Sequence, residues 1–171
     1  MKIILLGYMG SGKSTIGNLL TKELNLPLVD LDHTIEKEIG MTISDFFEVS
    51  GELKFRRLEN EVLNSVLAAN DQMILSTGGG TPCYGNNLQL MKSALNAKVF
   101  YLKSSIKTLT ERLLSEKDTR PLIQSIDDAD LPEFIGKHLF ERSNFYLQAH
   151  HVVNIDQKSV EMIVEEIREL L

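Results

Sequence analysis

The segment Gly7-Tyr8-Met9-Gly10-Ser11-Gly12-Lys13-Ser14 fits the pattern G-x-x-x-x-G-K-[ST] and constrains the chain more than any other feature. An apolar run, Ile3 to Leu6, precedes it, and apolar residues at helical spacing (Ile16, Leu19, Leu20, Leu24) follow at once. In that strand-loop-helix context consecutive backbone N–H groups form an anion nest, to which the helix adds its positive N-terminal end. Gly7, Gly10 and Gly12 let the backbone wrap phosphates, Lys13 reaches the β- and γ-phosphates, and the Ser14 hydroxyl is placed to ligate Mg²⁺. A nucleotide site is therefore expected. The loop alone leaves the coupled reaction open, because GTPases, ATPases, kinases and motors share it.

At 171 residues the chain is short for a motor ATPase, and it lacks the Asn-Lys-x-Asp sequence with which a GTPase reads its base. Short apolar runs at Ile3-Leu6, Leu28-Val29, Met73-Leu75, Val99-Leu102 and His151-Val153 read as strands buried on both faces. Between them lie helical patterns, for example Phe55, Leu58, Val62, Val66, and near the end Val160, Ile163, Val164, Ile167, Leu170, Leu171. The alternation predicts a three-layer α/β fold with a parallel sheet. With no repeat and four scattered prolines, one domain over residues 1–171 is expected. The polar segment Glu116 to Asp130 breaks the alternation and reads as a long mobile loop.

Composition narrows the partners. Eighteen Lys and Arg against 24 Asp and Glu give a net charge of −6, which argues against a general nucleic-acid binder. No apolar stretch approaches the roughly 18 residues of a membrane span. The single cysteine, Cys83, and an opening apolar run too short for a signal peptide point to a cytoplasmic protein. Cys83 is expected to be a packed or half-buried thiol. His150 and His151 make a poor metal pair, since adjacent strand residues face opposite ways.

Further chemistry collects at the ends of the expected strands, where open α/β sheets bind ligands. Leu28-Val29-Asp30-Leu31-Asp32 reads as a strand ending in two acids, sent to different sides of the site, one for Mg²⁺ or its water and one to grip a hydroxyl. The competing reading makes Asp32 the N-cap of a helix beginning at Thr34. In Gly51-Glu52-Leu53-Lys54-Phe55-Arg56-Arg57-Leu58-Glu59 the adjacent arginines point about 100° apart, so at most one faces a pocket squarely. Either one alternatively forms a surface ion pair, Arg56 with Glu59 or Arg57 with Glu61. The triplet Gly78-Gly79-Gly80 lets a substrate press against bare backbone.

Taken in order, the phosphate loop, Asp30-Leu31-Asp32, Gly51-Glu52 with Phe55-Arg56-Arg57, Gly78-Gly79-Gly80, Thr119-Arg120-Pro121-Leu122, and Glu141-Arg142-Ser143 with Tyr146 resemble the shikimate kinase family over nearly the whole chain. The resemblance implies a nucleoside-monophosphate-kinase-like three-layer α/β/α fold with a five-stranded parallel sheet, substrate-binding helices over about 32–60 and a mobile lid over about 116–131. It implies ATP-dependent phosphorylation of the shikimate 3-hydroxyl in aromatic amino-acid biosynthesis, with Mg²⁺ as cofactor and a monomer as the working form.

By the same resemblance, Lys13, Asp32 and Arg120 are catalytic, and Gly10, Ser11, Gly12, Lys13, Ser14 and Thr15 hold the nucleotide with Arg120 and an adenine-stacking Arg112. Ser14 and Asp30 serve the metal, Asp30 through water if not directly. Asp32, Arg56, Gly78, Gly79, Gly80 and Arg142 bind shikimate, with Arg56 steadied by Glu59 and with Phe47 and Phe55 lining the pocket. Two segments depart from the family pattern: residues 154–159 lack its proline, and Thr81-Pro82-Cys83 with Tyr84 is less typical. Among the rivals, a gluconate or nucleoside monophosphate kinase shares the fold, and a catalytically silent regulatory module would have lost Lys13, Asp32 or an anchoring arginine.

Overall fold

The computed structural model describes residues 1–171, the side chain of Thr119 excepted. In chain order the elements are β1 (Lys2–Leu6), α1 (Lys13–Leu24), β2 (Leu28–Asp30), α2 (Leu31–Ile39), α3 (Ile43–Ser50) and α4 (Glu52–Ala69). There follow β3 (Met73–Ser76), a 3₁₀ turn over Thr81–Cys83, α5 (Asn87–Ser93), β4 (Ala97–Lys103) and α6 (Ile106–Ser115). A second 3₁₀ turn at Lys117–Thr119, α7 (Pro121–Gln124), α8 (Leu131–Tyr146), β5 (His151–Asn154) and α9 (Val160–Glu169) complete the chain. The five strands form one parallel sheet in the order β2-β3-β1-β4-β5.

Strand alternation divides β1 between two cores. Ile4 and Leu6 pack with Leu75 and Val99 against α2, α4 and α5, through Leu31, Ile35, Phe55, Leu63 and Met91. Ile3 and Leu5 pack with Ile74, Phe100 and Leu102 against α1 and α9, through Ile16, Leu20, Ile163, Val164 and Ile167. Burial on both faces, as expected, holds for β1 and β3 throughout and for the middle of β4. It fails for β2 and β5, which are partly exposed because they are the sheet edges. The helical patterns around residues 16–24, 55–66 and 160–171 emerge as α1, α4 and α9.

The segment expected to be a long loop is a correction. It contains the turn at Lys117–Thr119 and helix α7, whose Ile123 is fully buried with Tyr8, Leu109, Leu113, Leu131 and Ile135. Pro121 sits in the first turn of α7, where its missing N–H costs nothing. A single buried isoleucine contributes about 2 kcal/mol, enough to anchor a polar segment.

Because β1 pairs with β3, the loops after them are neighbours, and Thr77 ties them: its N–H and its hydroxyl both donate to the Leu5 carbonyl, at 3.3 and 3.1 Å. The histidine pair is engaged by the sheet: His150 Nδ1 accepts from the Val99 N–H at 3.1 Å, and His151 stacks on Phe100. Cys83 is half-buried, and burial pushes its thiol up to about 11. Among the described residues, no helix is long and apolar enough to cross a membrane.

Candidate active site

The turn after β1 builds an anion-binding nest. Gly10 and Gly12 have φ of 80° and 86°, a left-handed backbone that favours glycine. Gly12 caps α1 without a side-chain hydrogen bond, so the first amides of that helix point toward the cleft. The buried Ser11 hydroxyl has no hydrogen-bond partner among the described residues. Lys13 Nζ folds back to donate to the carbonyls of Gly7 and Tyr8, at 2.8 and 3.1 Å. Desolvation pulls the lysine down to about 8, opposed by the nearby Asp32 carboxylate.

The two acids differ from their expected placement. β2 is only three residues long and passes into α2 without a loop, so Asp30 and not Asp32 is the N-cap: its Oδ1 accepts from the His33 N–H at 3.1 Å. Asp32 lies in the first turn of α2 and not at the end of a strand, and the expected separation of the two acids does not occur. Both carboxylates reach the same cleft. Asp32 is pushed up to about 6 by desolvation, then by the negative charges of Asp30 and Glu59.

Gly78 and Gly80 each leave room for one charged side chain, and a third, Arg142, lies in ordinary contact distance of Gly79. A Cβ on Gly78 would stand 2.8 Å from Asp32 Oδ1, one on Gly79 3.6 Å from Arg142 Nη1, and one on Gly80 2.9 Å from Arg56 Nη2. The triplet is itself held, since the buried Tyr146 hydroxyl donates to the Gly79 carbonyl at 2.5 Å. Arg142, one turn earlier on α8, lies over the Tyr8 ring with its guanidinium carbon 5.6 Å from the centroid.

Arg56 is not a surface ion pair. Its Nη1 donates at 3.0 Å to Glu59, whose side chain is 1% exposed and also accepts from the Thr81 hydroxyl at 2.7 Å. Asn87 supports that link from below, donating to the Thr81 carbonyl at 2.9 Å. Glu52 accepts from Arg56 Nε and Nη2, each at 3.3 Å. Three rings surround the guanidinium: Tyr84, Phe55 and Phe47, with centroids 3.8, 5.2 and 6.0 Å from its carbon.

A cleft of about 450 Å³ gathers most of the expected residues: Gly10, Ser11, Gly12, Lys13, Ser14 and Thr15, then Asp30, Asp32, Gly78, Gly79, Arg112 and Arg120. Arg112 donates to the Gly10 carbonyl at 3.2 Å, and Arg120 Nε donates to Glu116 at 2.9 Å. Gly80, Arg56 and Arg142 lie outside that wall and connect to it through the triplet. The sequence reading missed the roles of Tyr84, Thr81 and Glu52. Of these, only Glu52 had a local signal, standing one helical turn before Arg56.

The shikimate kinase family model matches residues 9–171. The chain is 45% identical to the shikimate kinase of Flavobacterium johnsoniae, over 99% of this chain and 98% of that protein. The crystal structure of shikimate kinase from Bacteroides thetaiotaomicron superposes with a TM-score of 0.92 at 36% identity, covering 99% of this chain and 97% of that one. The solved structure of shikimate kinase from Acinetobacter baumannii in complex with shikimate gives 0.87 at 31% identity, covering 99% and 91%. With a family match that takes in Lys13, both acids, the glycine triplet and both arginines, the chain belongs to the shikimate kinase family.

Proposed function

We propose that this protein transfers the γ-phosphate of ATP to the 3-hydroxyl of shikimate, giving shikimate 3-phosphate and ADP, a step of aromatic amino-acid biosynthesis. The observation that carries this reading is the glycine triplet, around which a carboxylate, Asp32, and two guanidinium groups, Arg142 and Arg56, gather beside the phosphate loop. A small acceptor with a carboxylate at one end and hydroxyls at the other matches that distribution of charge.

In this reading the α1 N-terminus and the loop amides hold the ATP phosphates, and Lys13 leaves the Gly7 and Tyr8 carbonyls for the transferring group. Arg56 and Arg142 grip the shikimate carboxylate as planar forks. Asp32 accepts from the attacking hydroxyl and orients it, and its elevated pKa suits it to take the proton. The Ser14 hydroxyl and the Asp30 carboxylate on the cleft wall are hard oxygen donors of the kind Mg²⁺ selects, so these two would hold the ion, Asp30 directly or through water. Held by these two oxygens, the ion would supply neutralisation of the charge that develops on the phosphates. Arg120 and Arg112 serve the nucleotide, and residues 116–131 act as a lid: Arg120 exchanges Glu116 for the phosphates as the segment closes and excludes water.

The carboxylate end of this reading is tested with shikimate methyl ester as acceptor. Capping the carboxylate removes the partner of both arginines, so kcat/KM falls at least a hundredfold. An ester used as well as shikimate would defeat the clamp.

A further inference from the structure

The loop after the glycine triplet carries a residue that touches Arg56 more closely than either phenylalanine of the pocket. Tyr84 follows the 3₁₀ turn in extended backbone (φ −118°, ψ 143°), and its ring centroid lies 3.8 Å from the Arg56 guanidinium carbon. Its hydroxyl donates to Glu52 Oε1 at 2.9 Å, the same oxygen that accepts from Arg56 Nε and Nη2. Burial, and then this hydrogen bond, push the phenol up, so it remains a neutral donor.

The loop is pinned and does not merely drift over α4. Thr81 reaches back to Glu59, the Asn87 N–H donates to the Tyr84 carbonyl at 3.2 Å, and Asn60 of α4 donates to Asn86 and Asn87 at 2.8 and 2.7 Å. One short stretch of chain therefore supplies both the support for the acid on one edge of the guanidinium and the ring over its face. A long arginine side chain has rotamer entropy to lose, and a bidentate contact needs its plane already set. A ring over the face fixes that plane while leaving edges for a ligand.

We propose that Tyr84 is a positioning residue for shikimate, an aromatic shelf that presets the plane of the Arg56 guanidinium for the substrate carboxylate. The proposal rests on the reading that Arg56 takes that carboxylate.

Steady-state kinetics of Tyr84→Ala, Tyr84→Leu, Tyr84→Phe and Arg56→Ala, with a Tyr84→Ala/Arg56→Ala double variant, test it. Tyr84→Ala and the bulkier Tyr84→Leu raise the KM for shikimate about five- to tenfold and leave kcat and the KM for ATP within about twofold. Tyr84→Phe, which keeps the ring, restores most of the affinity, and the alanine change adds nothing once Arg56 is gone. The proposal is overturned if the shikimate KM is unmoved, if kcat and both KM values move together, or if the effect persists without Arg56. Should Arg56→Ala itself leave the shikimate KM unchanged, the carboxylate reading fails first and the shelf falls with it.

Discussion

Gly80 and Arg56 are fitted to each other: a Cβ at position 80 would lie 2.9 Å from Nη2 and 3.1 Å from Nη1 of the guanidinium. Gly80 has φ −88° and ψ −20°, which any residue adopts, so the constraint is space and not backbone strain. The blocking atoms are the far end of a flexible side chain. Gly80→Ala is therefore expected to fold, but with Arg56 swung aside the buried Glu59 loses its counter-charge, at a cost of about 2–4 kcal/mol. The shikimate KM rises about tenfold and the ATP KM does not, as paired kinetics and urea unfolding will read.

Glu59 is the acid at the centre of the Arg56 network, and its two oxygens divide the work. Oε2 accepts from Arg56 and Oε1 from Thr81. In Glu59→Gln the amide satisfies Thr81 but turns its N–H₂ toward a guanidinium that has lost its buried counter-charge. The expected cost is about 2–4 kcal/mol in urea unfolding, with a weakened affinity for shikimate. Thr81→Val removes a hydrogen bond to this buried carboxylate and costs about 1.5–3 kcal/mol.

Asp32 carries a stability cost that its chemistry requires. Its folded pKa, about 6, stands above the ordinary 3.8, so the folded chain binds the extra proton between those values. Stability from this group is full below about pH 4 and is lost as the pH rises through 6. Asp32→Asn removes the titration: at pH 7.5 the variant is more stable by about 1–2 kcal/mol, the attraction to Lys13 being already contained in the shifted pKa. Its turnover falls by at least a hundredfold. Unfolding measured at pH 5 and pH 7.5 will show the advantage of the variant growing with pH. A difference independent of pH would contradict the assignment.

Much of the fold and the phosphate end of the site could be read from the chain, because each signal is contiguous. Gly7 to Ser14 is one turn between a strand and a helix, and apolar runs of three or four residues report the buried strands. The acceptor end was legible only in pieces. Arg56 and Glu59 share a helix, but the Tyr84 ring reaches Arg56 across 28 positions of sequence by loop geometry alone, and no periodicity records that. Asp30 and Asp32 were misplaced because β2 stops after three residues and α2 starts at the next one. The segment from Glu116 to Asp130 looked structureless because one isoleucine, Ile123, provides its buried anchor.

The central claim is that the site pairs ATP with shikimate. The most direct measurement is ADP release from Mg-ATP at matched protein concentration with shikimate, gluconate, AMP or no acceptor, with the phosphorylated product located by phosphorus NMR. The account predicts strong stimulation by shikimate alone, with phosphate on its 3-hydroxyl. Stimulation by gluconate or AMP in its place, or by none of the three despite measurable ATP binding, would contradict it.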